Sequence, residues 1–220
     1  MDTPVLNAQA RSNSYGLLAM AFRYPKPDAF ELFKDGTLVQ GLLNNLAIIT
    51  PDAAEEFEAH LDGLAEVGAD FAALENEYLQ AFQTNAPSPS VSLYEGSYAQ
   101  GAQKAQILLE LRGFYENFGL EVGAAERELE DSLAAEFEFM QFLVAKQAQA
   151  YDEGHAPEPY VIAQRDFLAR HLAAWLPKFE ARVAAKVNSP FYKALAAVAR
   201  GYVERDLKAV QDLAPATPDA

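Results

Sequence analysis

The sequence predicts an all-α protein, a single globular helical bundle of about seven to nine helices, and three observations carry that prediction. Apolar residues recur at helical spacing, as in Leu74, Tyr78 and Phe82 or Leu195, Val198 and Tyr202. Segment ends carry cap signals, such as Asp70, Gly119 and the Ser189-Pro190 pair. No segment gives a period-two run bounded by turns, and no repeat of solenoid length is evident. The chain has 220 residues, half of them hydrophobic, which suffices for one domain with a substantial core. Residues 1–213 read as that domain and 214–220 as a flexible tail.

In order, the first helix is expected from about Leu6 to Arg23, stopped by Tyr24-Pro25 and Pro27. Asp28 is placed to cap a short helix over Ala29–Lys34, Asp35-Gly36 forms a turn, and Leu38–Leu46 form another short helix. Thr50-Pro51 reads as an N-cap with proline at the first helical position, opening a helix that turns Phe57, Leu61 and Leu64 inward. Asp70 caps the helix of Phe71, Leu74, Tyr78 and Phe82. A long helix from about Tyr98 to Phe118 should bury Ala105, Leu108, Leu109, Leu111, Tyr115 and Phe118, with Gly119 as a left-handed C-cap. Asp131 or Ser132 caps a helix running through Tyr151 that is apolar on most sides, so it belongs near the bundle centre. After the loop Asp152–Pro159, a helix carries Phe167, His171 and Trp175, and Pro177 kinks it or starts a new one. Ser189-Pro190 opens the last helix.

Composition excludes several chemistries. There is no cysteine, so disulfides, thiolate metal sites and a cysteine nucleophile are ruled out. The net charge of −15 disfavours nucleic acid and anionic membrane surfaces and favours basic peptides. The uncharged apolar run Leu17–Phe22 is far short of the roughly 20 residues of a membrane span, so a cytoplasmic protein without a membrane span is expected. Dinucleotide, P-loop, serine-hydrolase and zinc-protease motifs are absent. The three histidines, His60, His155 and His171, are far apart, and no Glu-x-x-His pair exists for a di-iron bundle. No metal, no cofactor and no catalytic residues are therefore expected. His171 reads as a core or edge histidine hydrogen-bonded locally.

The stretch Glu77–Tyr98 stands out. A helix end is followed by a break containing Pro87 and Pro89, longer than an ordinary interhelical loop, and then by Tyr94, Glu95 and Tyr98. These side chains suit either a surface that holds a ligand or plain core and cap positions. The acidic run Glu126, Glu128, Glu130, Asp131, Glu136, Glu138 favours a helix N-terminus. Glu136 and Glu138 lie beyond the first turn among Phe137 and Phe139, where carboxylates serve buried hydrogen bonding or pairing with an incoming cation.

These motifs resemble those of the TorD/DmsD/NarJ family of molybdoenzyme-specific chaperones. Glu77-Tyr78-x-x-x-Phe82, Pro87-x-Pro89 and Ser92-Leu93-Tyr94-Glu95 are similar to its signature loop, and Glu128–Met140 to its second motif. Gln164–Trp175, Phe191–Ala196 and the opening Tyr15–Pro25 are similar to further family segments, so the resemblance covers nearly the whole chain in order. Where the family has Pro-Asp-His, this chain has Glu130, Asp131 and Ser132, so no imidazole is available there. The resemblance implies a TorD-like fold and a cytoplasmic, non-enzymatic chaperone. Its partners would be the apo catalytic subunit of a molybdenum enzyme and that subunit's twin-arginine signal peptide, with molybdenum cofactor insertion preceding export. A relative of nitrate reductase, such as a dimethylsulfide, ethylbenzene, selenate or chlorate enzyme, is the implied client. The implied binding residues are Glu77, Tyr78, Phe82, Pro87, Pro89, Tyr94, Glu95, Tyr98, Asp131, Ser132, Glu136 and Glu138. A receptor for arginines beside an apolar stretch needs carboxylates next to an aromatic groove, and these residues supply both. A monomer or homodimer is expected. The alternatives are a helical carboxylate enzyme or metal carrier using Glu136, Glu138 and a histidine, and a permanent structural subunit of a redox complex.

Overall fold

The computed structural model describes residues 3–50, 54–83, 89–101, 103–120 and 129–214. Pro51, Pro87, Glu126, Glu128 and the tail from 215 onward, all named above, lie outside the described residues. The helices are α1 (Thr3–Phe22), α2 (Pro27–Lys34), α3 (Thr37–Ile49), α4 (Ala54–Leu64), α5 (Phe71–Tyr78), α6 (Gln103–Asn117), α7 (Leu133–Glu153), α8 (Glu158–Arg170), α9 (Leu172–Lys186) and α10 (Pro190–Leu213). Among the described residues there is no strand, and an isolated bridge joins Tyr94 to Ser132. No described helix is long and apolar enough to cross a membrane.

The cap signals act where their partners are local. Asp70 accepts from the amide of Ala73 at 2.9 Å, and Ser132 accepts from that of Ala135 at 3.1 Å. Gly119 takes φ +70, and the amide of Leu120 returns to the carbonyl of Tyr115 at 3.0 Å, closing α6 as expected. At α2 the cap differs. Pro27 already occupies the first turn, so the helix begins before Asp28, after Lys26 and without a side-chain cap.

The core is organised on α1 and α7, the most extensively packed pair. Small residues at successive turns, Ala8, Ser12, Gly16 and Ala19, bring α1 close to α7. The Ser12 hydroxyl donates to the carbonyl of Gln141 at 3.0 Å, and a Cβ on Gly16 would come within 2.7 Å of the Gln141 amide. Phe22 stacks on Phe137, and Phe179 of α9 meets Phe22 edge-on. Each such ring contributes roughly 1.5–3 kcal/mol on burial. Midway along α1, Arg11 is enclosed at 2 % exposure. It donates to both Asp206 oxygens at 2.5 and 2.9 Å, to Gln147 at 3.0 Å and to Gln164 at 2.7 Å. This network ties α1, α7, α8 and α10 together.

Two expectations are corrected. Helix α6 starts at Gln103 rather than near Tyr98, because residues 95–97 form a separate 3₁₀ turn and Gly101 takes φ +56. Its inward stripe is Leu111 and Tyr115, flanked by Ile107, Phe114 and Phe118, which leaves Leu109 71 % exposed on the opposite side. The second correction concerns the helix expected to run through His171 to Trp175, which breaks at His171 with φ −117 and ψ −96, while Pro177 lies inside α9.

Candidate functional site

The segment 89–101 is stapled to the start of α7. The amide of Glu95 donates to the carbonyl of Asp131, and that of Leu133 to the carbonyl of Leu93, both at 2.9 Å. Between them Tyr94 and Ser132 face each other as an antiparallel bridge. Oδ2 of Asp131 accepts from the amide of Gly96 at 3.0 Å. Glycine is required there by space, since a Cβ would sit 2.8 Å from that same oxygen and 2.8 Å from Cγ of Lys104. Tyr98 closes the loop by donating from its hydroxyl to the carbonyl of Ser92 at 2.8 Å.

The staple encloses three acids. Glu95 is 4 % exposed, and Asp131 and Glu136 are fully buried. Buried acids persist only with polar partners, and two come from the α8–α9 break. His171, buried at 1 % exposure, places Nδ1 2.9 Å from Oε2 of Glu95. Trp175, one turn later, donates from Nε1 to Oε2 of Glu136 at 3.0 Å. Burial pushes the Glu136 carboxyl well above its ordinary value. The neighbouring Glu95 adds to this, the Trp175 hydrogen bond opposes it, and Asp131 adds a little more. Tyr115, buried beside the group, is likewise raised, by burial first and then by Glu136, Glu95, Asp131 and Glu130. Oδ1 of Asp131, Oε1 of Glu136 and Nε2 of His171 have no hydrogen-bond partner among the described residues. No described group of three or more histidine and acidic side chains is arranged to hold a metal ion.

Outside the acids lies a hollow of about 280 Å³, walled by Glu95, Tyr98, Ile107, Glu110 and Trp175, with Arg170 and Lys178 also lining it. The Tyr98 and Trp175 rings lie 5.1 Å apart, and the Arg182 guanidinium sits 4.2 Å from the Tyr98 ring centroid. Burial pushes the Tyr98 hydroxyl up to about 12, against the lowering effect of Arg182. Carboxylates at the base of an aromatic hollow are suited to hold a guanidinium or ammonium group.

Of the residues singled out in the sequence, Tyr94, Glu95, Tyr98, Asp131, Ser132 and Glu136 are brought together here. The others are placed elsewhere. Tyr78 and Phe82 are buried at 4 % and 5 %; Phe82 stacks on Phe179, and both rings meet Tyr192 edge-on. Their apolar surface is spent inside the fold. Glu77 accepts from the Ser189 hydroxyl at 2.5 Å beside the start of α10. Glu138, two residues beyond Glu136 and so on another side of α7, pairs with Arg23 at 2.5 Å. Pro89 is half-buried. His171, Trp175 and Glu110 were not singled out as site residues. The available signals were the His171–Trp175 spacing of four on one helical pattern and an acid, Glu110, inside the apolar stripe Ile107–Leu111–Phe114.

Residues 50–181 match the family model described as nitrate reductase delta subunit. A perchlorate reductase assembly chaperone protein from Dechloromonas aromatica is 44 % identical over 90 % of this chain and 89 % of its own. A chlorate reductase assembly chaperone protein from Ideonella dechloratans is 34 % identical over 84 % of this chain and 82 % of its own. Among solved structures, a candidate redox enzyme maturation protein from Archaeoglobus fulgidus shares the fold, with a TM-score of 0.52 and 19 % identity over 88 % of this chain and 93 % of that one. The chain thus belongs to the nitrate reductase delta subunit family, the TorD/DmsD/NarJ group of molybdoenzyme-specific chaperones that its motifs resemble.

Proposed function

We propose that this protein is an assembly chaperone, not an enzyme. Its client is the apo catalytic subunit of a molybdenum oxidoreductase of the perchlorate and chlorate reductase kind. It recognises the twin-arginine signal peptide of that subunit and retains the subunit in the cytoplasm until the molybdenum cofactor is inserted. The observation that carries this reading is the 44 % identity, over 90 % of the chain, to an assembly chaperone of such an enzyme.

The site chemistry agrees with the client. A twin-arginine peptide offers fixed cations beside an apolar run, and the hollow at Glu95, Tyr98, Glu110 and Trp175 offers carboxylates beside rings. Binding needs only complementarity of this kind, with no reacting group.

Affinity capture tests the reading. The full chain, tagged and expressed with its client, is expected to retain the catalytic subunit in a molybdenum-free form. Recovery of the chain as a stoichiometric component of the mature, metal-loaded complex would instead make it a structural subunit. Failure to retain any molybdoenzyme subunit would overturn the chaperone reading.

A further inference from the structure

The hollow at Glu95 has a neighbour along α6. One turn further along α6, a second hollow of about 430 Å³ opens between α6 and α8, walled mainly by Phe114, Phe118, Pro159 and Ile162, with Asp166 at its edge. Both are lined by α6 and α8. Helix α6 presents Ile107 and Glu110 to the first and Phe114 and Phe118 to the second, which are successive positions on one helical face. The opposite wall runs from Ile162 and Asp166 of α8, through Arg170, to Trp175 of α9. Where Arg170 of the first meets Phe114 of the second the two adjoin, as a trough whose aromatic end carries Glu95 and Glu110, with Lys178 also in its wall, and whose other end is apolar.

Arg170 occupies the junction. Its guanidinium pairs with Glu110, and its Cζ lies 5.6 Å from the centroid of the Phe114 ring. The trough thus already holds one guanidinium in the way it would hold a foreign one, between a carboxylate and a ring face. The Arg170 side chain is 57 % exposed, so it can swing into solvent without disturbing the core, whereas that of Glu110 is 22 % exposed and stays in the wall.

We propose that this trough receives the client's twin-arginine segment lengthwise, arginines toward Glu95 and Glu110 and the following apolar run over Phe114 and Ile162. Arg170 is an internal stand-in that the client's arginine displaces. The inference rests on the chaperone reading above and adds to it a place, a polarity and a competitor. Exchanging one guanidinium for another keeps Glu110 paired throughout, so the exchange leaves no buried charge exposed to an apolar wall. The displaced Arg170 lowers the net affinity by the worth of a partly exposed ion pair, which allows the client to leave.

The test uses the full chain and a synthetic peptide in which two adjacent arginines precede a leucine- and alanine-rich run. Trp175 is the only tryptophan and lines the trough, so its emission reports occupancy directly. Arg170→Ala is expected to bind this peptide roughly two- to fivefold more tightly than wild type, the range of an exposed ion pair. Glu110→Gln is expected to weaken it, with no effect on a control peptide whose arginines are glutamine. Ile162→Asp, a change at a 36 % exposed position, is expected to weaken the peptide but not a variant whose apolar run is replaced by serine. Peptide binding that Arg170→Ala leaves unchanged, or that Ile162→Asp weakens equally for both peptides, would overturn the inference while leaving the chaperone reading standing. The same holds if neither wild type nor Arg170→Ala binds the peptide although the chain captures the client subunit. The chaperone reading is tested separately, by client capture.

Discussion

Glu136 is the residue whose environment departs furthest from that of an ordinary carboxylate. It is enclosed among Trp175, Tyr115, Glu95 and Asp131, with one oxygen bonded to the indole and the other without a partner. A carboxyl whose folded pKa is raised favours the native state below its unfolded pKa, here near 4.5. That contribution is lost as the pH rises from there through the folded value. Glu136→Gln keeps the acceptor for Trp175 and removes the ionisation. Thermal unfolding should show the variant more stable than wild type at neutral pH by a few degrees, at about 2–4 °C per kcal/mol, with the gap closing as the pH falls toward 4.5. Elsewhere in the core, Arg11 and Asp206 answer each other within a buried network. Arg11→Leu leaves Asp206 charged and buried, and denaturant unfolding should record a loss of about 3–5 kcal/mol. Local partnerships were legible at this scale, such as Ser132 with Ala135. The His171–Glu95 contact joins residues 76 positions apart, and neither spacing nor composition encodes such a pairing. The expectation of a locally bonded histidine therefore met the right burial and a distant partner.

At the scale of elements, the positions of the breaks matter more than the helices themselves. Periodicity marks the helical segments but runs α8 into α9, because an apolar face at three- and four-residue spacing is all that burial against a neighbour requires. It runs one helix through His171 to Trp175, with Pro177 as a kink or a new start, and the chain breaks at His171 instead. The turn there lets His171 and Trp175 reach Glu95 and Glu136, a tertiary demand that a proline rule does not see. The start of α6 departs from the sequence expectation for a related reason, since Tyr98 looks like a helix residue but turns in to bond Ser92 and pack on Trp175. The staple between 93–96 and 131–133 can be weakened from either side. Ser132→Ala removes the α7 cap and should cost about 1 kcal/mol in denaturant unfolding. Gly96→Ala forces a Cβ against Asp131 and should increase amide exchange at Glu95 and Gly96 more than at α7 itself, readable by hydrogen exchange.

For the whole molecule, the charge of −15 favours a cationic guest, as do Glu95 and Glu110 in a hollow that Arg170 and Lys178 also line. Binding of a twin-arginine peptide should weaken as salt rises, because ion pairs at an open hollow are screened over about 10 Å at 0.1 M. A titration across ionic strengths checks this, and an affinity that ignores salt would assign recognition to apolar contact alone. The bundle architecture was readable from the sequence, as were six of the site residues, because the Ser92–Tyr98 segment and the start of α7 each carry their own local signals. Glu110 and Arg170 were not, since the trough exists only once α6, α8 and α9 are packed side by side. The chaperone role itself is tested most directly by the molybdenum content of the client's catalytic subunit, purified from cells with and without this chain. Without it the subunit should accumulate largely free of molybdenum and inactive, and restoring the chain should restore both. A fully loaded, active client in cells lacking the chain would contradict the role.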